Sequence, residues 1–459
     1  MPSPFRQFHT HVNRYRQMSK RERFHQLHTN LWFTSLRFIL YSLFLLTLSF
    51  TLDDYFTIGE RSFFYISFSL THSLVSTLTA GLLTLTTFTF NLVLVVFTTF
   101  SSQFSPRILK NFISNQATQR ILGIFSGSFL YMLFSFFSLN TQYTKKFLAV
   151  PLTAVLLATL SMATFVFFIH HAVGWLQVNK MTDDMKNESL TIVDGPLQNE
   201  IQAYCIDDCE QIEAQAAQLS GADGTTITAP SSGYIQLIDF KNMISEAQQD
   251  QLILLLHQDV GEYVIQNTPI ITYWKNGSGY VNKEKYTALF SIGNAQKEVQ
   301  DIGFSINKLV EVAIRSLGNY DPKTTQNALN HLADLLAYLS SVATFNPYLV
   351  DENEQLRMIT PKKNFSDYLY NSLGYIRHYA GENIIVGLEI LKILKLIAKT
   401  ASPRDLEAIW NFSVYTVTGY QKLFLFSLDR HKFNEMLYEI AVATNHTDDF
   451  TKIINGNEL

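Results

Sequence analysis

Apolar residues are spread very unevenly along the chain. No Lys, Arg, Asp or Glu occurs between Arg61 and Arg107, a stretch dominated by Leu, Phe, Val and Thr. Two more charge-free runs follow, 121–144 and 147–179, and an earlier run, 31–52, holds a single charge at Arg37. About 20 residues at ~1.5 Å rise cross the hydrocarbon layer of a bilayer, so each run is long enough to span it as a helix. The pattern predicts spans near 31–52, 74–100, 120–140 and 147–174, the second and fourth long enough to tilt. Beyond Lys180 the run pattern gives way to the mixed charge and apolar periodicity of a soluble domain.

The predicted fold class is therefore a membrane protein: a four-helix transmembrane α bundle followed by a cytosolic α+β region, itself a small β-module and then a helical bundle. The expected segments are a basic N-terminal stretch (1–30), the membrane domain (31–180), an acidic and Gln-rich connector (181–230), the β-module (231–290) and a helical domain (291–459). In the β-module, strands are expected at 234–238, 251–257, 263–265 and 269–273, with a short helix at 241–249 and a turn at Asp259-Val260-Gly261-Glu262. The order of these strands resembles half of a barrel-sandwich module, but no hairpin-tip Lys flanked by Met or Ala offers a point for covalent biotin or lipoate. After Ser291, apolar positions recur at helical spacing. Asp321 reads as the N-cap, and Pro322 as the first turn, of a helix over 323–340. Further helices are expected at 384–399, 404–421 and 432–444.

Whole-chain averages conceal this division, since the formal net charge is only −4 over 459 residues. Local charge sets the expected orientation. Arg6, Arg14, Arg16, Lys20, Arg21 and Arg23 precede the first span, whereas the loop after it holds Arg61 beside Asp53, Asp54 and Glu60, so both termini are expected on the cytoplasmic side of the cell membrane. Lys145 and Lys146, in the short third loop, run against this assignment. The two cysteines, Cys205 and Cys209, then face the cytosol, and without two further ligands they read as reduced thiols and not a zinc site.

Ser73, Thr77, Gly81, Thr84, Thr87, Asn91, Thr98 and Ser102 recur along the second span at three-, four- or seven-residue intervals and share one helical face. Two readings stand: a close-packed seam between helices, or the polar lining of a water-filled path in an assembled oligomer. No carboxylate or Lys lies deep within a span, which disfavours ion-coupled transport more than a passive pore. In the third span, Gly123 and Gly127 form a Gly-x-x-x-Gly pair suited to close helix packing. His170 and His171, adjacent at the inner end of the fourth span and followed by Trp175, point about 100° apart on a helix and read as interfacial anchors or pH sensors and not as joint metal ligands.

The segment Ser101-Ser102-Gln103-Phe104-Ser105-Pro106-Arg107 after the Thr-rich span, Phe168-Ile169-His170-His171 at the end of the last span, and Gly233-Tyr234-Ile235-Gln236 opening the soluble region together resemble a bacterial family of predicted integral membrane proteins, domain of unknown function 2254. The resemblance continues through Gln300-Asp301-Ile302-Gly303-Phe304 and Val312-Ala313-Ile314-Arg315-Ser316-Leu317 to Asp321-Pro322, and marks Asp301, Glu311, Arg315 and Asp321 as a family-like cytosolic segment. Where the family tends to carry a longer Ser-Pro-Gly turn, this chain has Leu317-Gly318-Asn319-Tyr320. The resemblance implies a membrane protein and no particular activity.

Read from its own residues, Ser105 is suited to cap a helix starting at Pro106, with Arg107 at headgroup level or at the inner mouth of a pore, where a ring of cations would favour anions. Glu311 and Arg315 are spaced for an i,i+4 ion pair. No phosphate-cradling Gly loop, zinc-binding His pair, paired catalytic carboxylates or nucleophile elbow occurs, and the soluble half lacks a basic stripe. Neither a cofactor nor nucleic acid is expected as a partner, and enzymatic activity is the least favoured class. The expected partners are the lipid bilayer and further copies of the chain. The leading reading is an oligomeric pore or permease with a cytosolic regulatory domain; the alternative is a membrane-anchored sensor or scaffold.

Overall fold

The computed structural model describes residues 31–55, 66–103, 115–139, 147–194, 204–205, 210–219, 222–275, 280–296, 300–420 and 426–455. The chain divides into two compact units, Met1–Gln177 and Val178–Leu459.

The first unit is built on four helices, α1 (Leu31–Tyr55), α2 (Phe68–Gln103), α3 (Gln116–Ser138) and α4 (Ala149–Leu176), each long and apolar enough to cross a membrane. Outward positions are apolar, as lipid requires: Leu40, Phe44, Phe137, Leu156 and Val166 are exposed. The interior is mixed. Val75, Leu82, Tyr131, Met132, Val150 and Ala154 form an apolar cluster, yet among the described side chains of α1 the buried ones are all polar: Thr34, Ser42, Ser49 and Asp53. Helices α1 and α3 meet at Gly123 and Gly127, where an added Cβ would press into the Phe38 ring and to 3.0 Å from the Phe38 carbonyl oxygen. The glycine pair thus serves close packing inside one chain.

In the second unit α5 (Val178–Ile192) begins one residue after α4 ends. It buries Met181, Thr182, Met185 and Ser189 against the hairpin of α9 (Ile302–Gly318) and α10 (Pro322–Val342). Ion pairs reinforce this docking: Lys186 with Asp334 at 3.5 Å and Lys308 with Glu188 at 3.6 Å. After α6 (Glu210–Leu219) come β1 (Thr225–Thr228), β2 (Gly233–Ile238), α7 (Phe240–Gln249), β3 (Leu252–Leu256), β4 (Tyr263–Val264), β5 (Pro269–Lys275), α8 (Lys283–Thr287) and β6 (Phe290–Gly293). Past α10 the chain adds β7 (Tyr348–Val350), β8 (Leu356–Ile359), α11 (Phe365–Leu369), a π-turn at Tyr370–Gly374, α12 (Tyr375–Ala380), α13 (Ile384–Ala398), α14 (Leu406–Tyr420), α15 (Ser427–Thr444) and α16 (Thr447–Asn455).

Two sheets result, one ordered β1-β5-β3-β8-β7 and one β4-β2-β6. The expected neighbours 263–265 and 269–273 belong to different sheets, β4 pairing with β2 and β5 with β3, so they do not form a barrel-sandwich hairpin. The larger sheet is completed from outside 231–290, because β8 joins β3 in parallel with Leu254 opposite Met358. Leu252, Leu254 and Leu256 of β3 and Ile270, Ile271 and Tyr273 of β5 then face an apolar core shared with α7 and Met358.

Candidate functional site

Within the first unit, the Thr-rich face of α2 turns away from the chain's own bundle. Val75, Leu82, Val93 and Val96 point inward, while Ser73, Thr77, Gly81, Thr84, Thr87, Asn91 and Thr98 are all exposed. The side chain of Ser102, like Arg107 and the loop containing it, lies outside the described residues. Four of the hydroxyls donate to their own helix: Thr77 to the Ser73 carbonyl at 2.8 Å, Thr84 to Ala80 at 3.0 Å, Thr87 to Leu83 at 2.9 Å and Thr98 to Val95 at 2.9 Å. Such back-bonding lowers the cost of placing Thr in an apolar medium. Asn91 differs, since its carboxamide finds no hydrogen-bond partner among the described residues.

The polar groups that hold this unit together lie elsewhere. Tyr131 donates to Ser49 at 3.1 Å, and Ser49 meets Thr153 at 3.3 Å. At the other end Thr34 donates to Gln119 at 2.9 Å, and His171 lies 3.2 Å from the Thr118 hydroxyl and stacks on Phe167. His170 is exposed, so the two histidines diverge as their helical spacing requires. Asp53 carries the strongest local arrangement: its carboxylate accepts from the backbone N–H groups of Leu148, Ala149 and Val150 at 2.8, 2.6 and 3.0 Å. A residue of α1 thereby caps the start of α4, where the orphan donors and the positive end of the helix dipole both favour an anion.

In the second unit, two of the family-like stretches, at Gln236 and at Gln300-Asp301, meet beside the end of β2. Gln300 reads the end of β2 as a neighbouring strand would, accepting from Ile238 N at 3.0 Å and donating to Ile238 O at 3.1 Å, while Gln236 donates to the Ala295 carbonyl at 2.6 Å. Asp301 then caps α9, accepting from Phe304 N at 2.9 Å. Its carboxylate lies against Gly261, whose φ of +91° closes the turn after Asp259. Lys363 pairs with Asp259 at 2.6 Å.

The electrostatics of this cluster follow from burial. Burial pushes the Asp301 carboxyl up to about 6; the Phe304 N–H and the Lys363 charge oppose the shift, and Asp259 reinforces it. Burial likewise pushes the Tyr368 hydroxyl up to about 12, with Lys363 opposing. Burial disfavours the Lys363 ammonium, but Asp259, Tyr368 and Asp301 outweigh it and hold its pKa above the ordinary lysine value. The Asp301 carboxyl is thus raised toward the range where a proton is held at mildly acid pH, beside the Lys363–Asp259 pair and the Tyr368 phenol.

Asp321 is a helix cap, accepting from Thr324 N at 3.1 Å, and the Thr324 hydroxyl and backbone hold its carboxyl below the usual range. Glu311 and Arg315 lie on α9 apart from the Asp301 cluster. Cys205 is half-buried, its Sγ 3.9 Å from the Asn346 carbonyl oxygen, and Cys209 lies outside the described residues. No group of three or more His, Cys, Asp or Glu positioned to hold a metal occurs among the described residues.

The family model for predicted membrane proteins described as DUF2254 matches residues 28–396, most of the chain. The chain belongs to this family. It is similar to uncharacterized proteins of Mycobacterium tuberculosis and Mycobacterium bovis, at 26% identity over 342 residues. That match covers 72% of this chain and 64% of each relative, so it spans less than two thirds of their length. No solved structure matches. Asp301, Gly261 and Lys363 all fall inside the family match, and Gly261 gives the cluster its sharpest steric test. A Cβ there would overlap the Asp301 carboxylate, and its φ disfavours any L side chain. Gly261→Ala should cost about 2–4 kcal/mol, measured as a lowered urea midpoint of the full-length protein; a midpoint like the parent's would show that the turn and Asp301 separate freely.

Proposed function

We propose that the protein works as a homo-oligomer in the bilayer, with α2 of each copy turned toward neighbouring copies and a passive conduction path running along their Thr-rich faces. One observation carries this reading. Polar side chains from Ser73 to Thr98 of a membrane span are exposed on the single chain, whose own bundle interior is filled by Val75, Leu82, Tyr131, Met132 and Val150. Lipid offers Asn91 nothing to bond, whereas a second copy or a water-filled lumen does. In this reading the termini and the second unit are cytoplasmic, Arg107 stands near the inner mouth, and the second unit governs assembly or opening. An anchored sensor is the second reading, and the Asp301 cluster is what favours it.

Thr84→Leu combined with Asn91→Leu tests the proposal. An interhelical hydrogen bond from Asn contributes about 1–2 kcal/mol in a membrane, so the oligomer's association constant should fall roughly tenfold or more. Native mass spectrometry from detergent reads the association, and ion flux into liposomes reads the path; Leu85→Ile is the control. A monomeric parent protein that conducts nothing would leave the sensor reading.

A further inference from the structure

Among the described residues of the second unit, one cation stands without a counterion. Arg377, on α12, forms no ion pair with any carboxylate among the described residues. Its guanidinium lies over the rings of Tyr415, at 4.7 Å, and Tyr420, at 5.6 Å. Nη1 donates to the Tyr415 hydroxyl at 3.2 Å, and that hydroxyl lies 3.0 Å from Nε2 of His378. Nη2 rests against Gly419, in the place a side chain would take. Two polar atoms here are buried with no hydrogen-bond partner among the described residues, Nε of Arg377 and the hydroxyl of Tyr420. Tyr420 itself is 1% exposed.

A structural cation–π contact accounts for the guanidinium's position over the rings but not for donors left empty. Buried polar groups are almost always bonded, and those that are not mark an absent acceptor or a functional strain. The unfilled Nε belongs, with Nη2, to the side edge of the guanidinium, the edge that receives a carboxylate or phosphate in two parallel hydrogen bonds. The backbone beside this group is irregular as well. The π-turn at Tyr370–Gly374 leads directly into α12, and the Tyr370 ring lies 6.2 Å from that of Tyr415. Such turns insert one residue into a helix and recur at functional sites. His378 is exposed, as are Tyr370, Tyr375 and Tyr379 in the same stretch of chain.

We propose that Arg377, Tyr415 and His378 form a binding site for a phosphoryl group, carried either by a free anion or by a lipid headgroup. The guanidinium supplies charge and a two-pronged donor edge, Tyr415 supplies a hydroxyl, and His378 supplies a ring N–H. Binding draws the Arg377 edge away from Gly419 toward the anion and fills the donors now empty. The three exposed tyrosines suit a ligand with an apolar or planar part beside its phosphate.

Full-length protein in a maltoside detergent, which contains no phosphate, allows the test. Inorganic phosphate is followed by 31P line broadening, and phosphatidic acid by its retention in nanodiscs against a neutral diacylglycerol control. Arg377→Lys keeps the charge but loses the fork, and Tyr415→Phe keeps the ring but loses the hydroxyl; each should weaken binding about tenfold while the melting temperature stays near the parent's. Broadening of free phosphate that both variants abolish assigns the site to a soluble anion, and retention of phosphatidic acid alone assigns it to a headgroup. If neither probe binds, or if both variants bind as the parent does, the proposal fails. Should Arg377→Lys unfold the protein, Tyr415→Phe decides alone, because Tyr415 is only partly buried and its ring packing is kept.

Discussion

Asp53→Ala should be the most damaging single substitution in the membrane unit. Three consecutive backbone N–H groups, those of Leu148, Ala149 and Val150, share this carboxylate within 3.0 Å. They are the first donors of α4 and have no partners within their own helix. Removing the acceptor leaves them unsatisfied in a site where Asp53 is 8% exposed. A hydrogen bond to a charged group contributes about 1.5–3 kcal/mol, and losing three at once, with partial repair by water, should cost about 3–5 kcal/mol. At about 2–4 °C per kcal/mol for a unit of this size, the melting temperature in detergent should drop by roughly 6–20 °C. Asp53→Asn retains one strong acceptor and should recover part of the loss. Thr51→Ala, on an exposed hydroxyl bonded only to the Leu48 carbonyl, should leave the melt nearly unchanged. If Asp53→Ala melts within about 2 °C of the parent, α4 is held by packing alone.

That role for Asp53 is not legible in the sequence. Residues 53 and 54 read as two acids ending an apolar run, which places the end of the first span at 52; α1 continues to Tyr55 because Asp53 turns inward to another helix. The four spans themselves are legible, since hydrocarbon imposes a length and bars charge whatever the tertiary structure. Gly123 and Gly127 are legible for a similar reason, as only small residues allow Phe38 so close. Periodicity also locates the polar face of α2, but a repeat identifies a face and not what lies opposite it. The β-module shows where local pattern runs out: β3 and β5 are readable as apolar runs, whereas β8 pairs with β3 across about a hundred residues of chain. The Asp301 cluster divides in the same way. Family-like residues point to Asp301 and the turn at Gly261 has its own signature, but nothing in the run Pro361-Lys362-Lys363-Asn364 distinguishes Lys363, brought to Asp259 by folding alone, from its neighbour.

Asp301→Asn should make the protein more stable at neutral pH and flatten part of its pH dependence. Folding raises the carboxyl from an ordinary value near 3.8 to about 6, so between these values the folded chain binds a proton that the unfolded chain has released. Stability linked to that proton is complete below about pH 4 and is lost as pH rises through about 6. A rise of this size corresponds to about 3 kcal/mol, which the flexibility of a real site reduces to about 1–3 kcal/mol. Asn retains the side-chain oxygen that Phe304 N–H requires, so the α9 cap survives, while the charge that burial penalises is gone. Urea unfolding of parent and variant at pH 4.5 and 7.5 provides the comparison. The difference between the two proteins should be small at the lower pH and should favour the variant by about 1–3 kcal/mol at the higher. An equal difference at both pH values would show that Asp301 does not titrate between them, and a variant less stable at pH 7.5 would show that its charge is held by Lys363 and not merely tolerated. If the expected gain in stability is found, the Asp301 carboxylate beside Lys363 and Tyr368 is costly when charged, and the sensor reading then has a measured proton equilibrium to rest on.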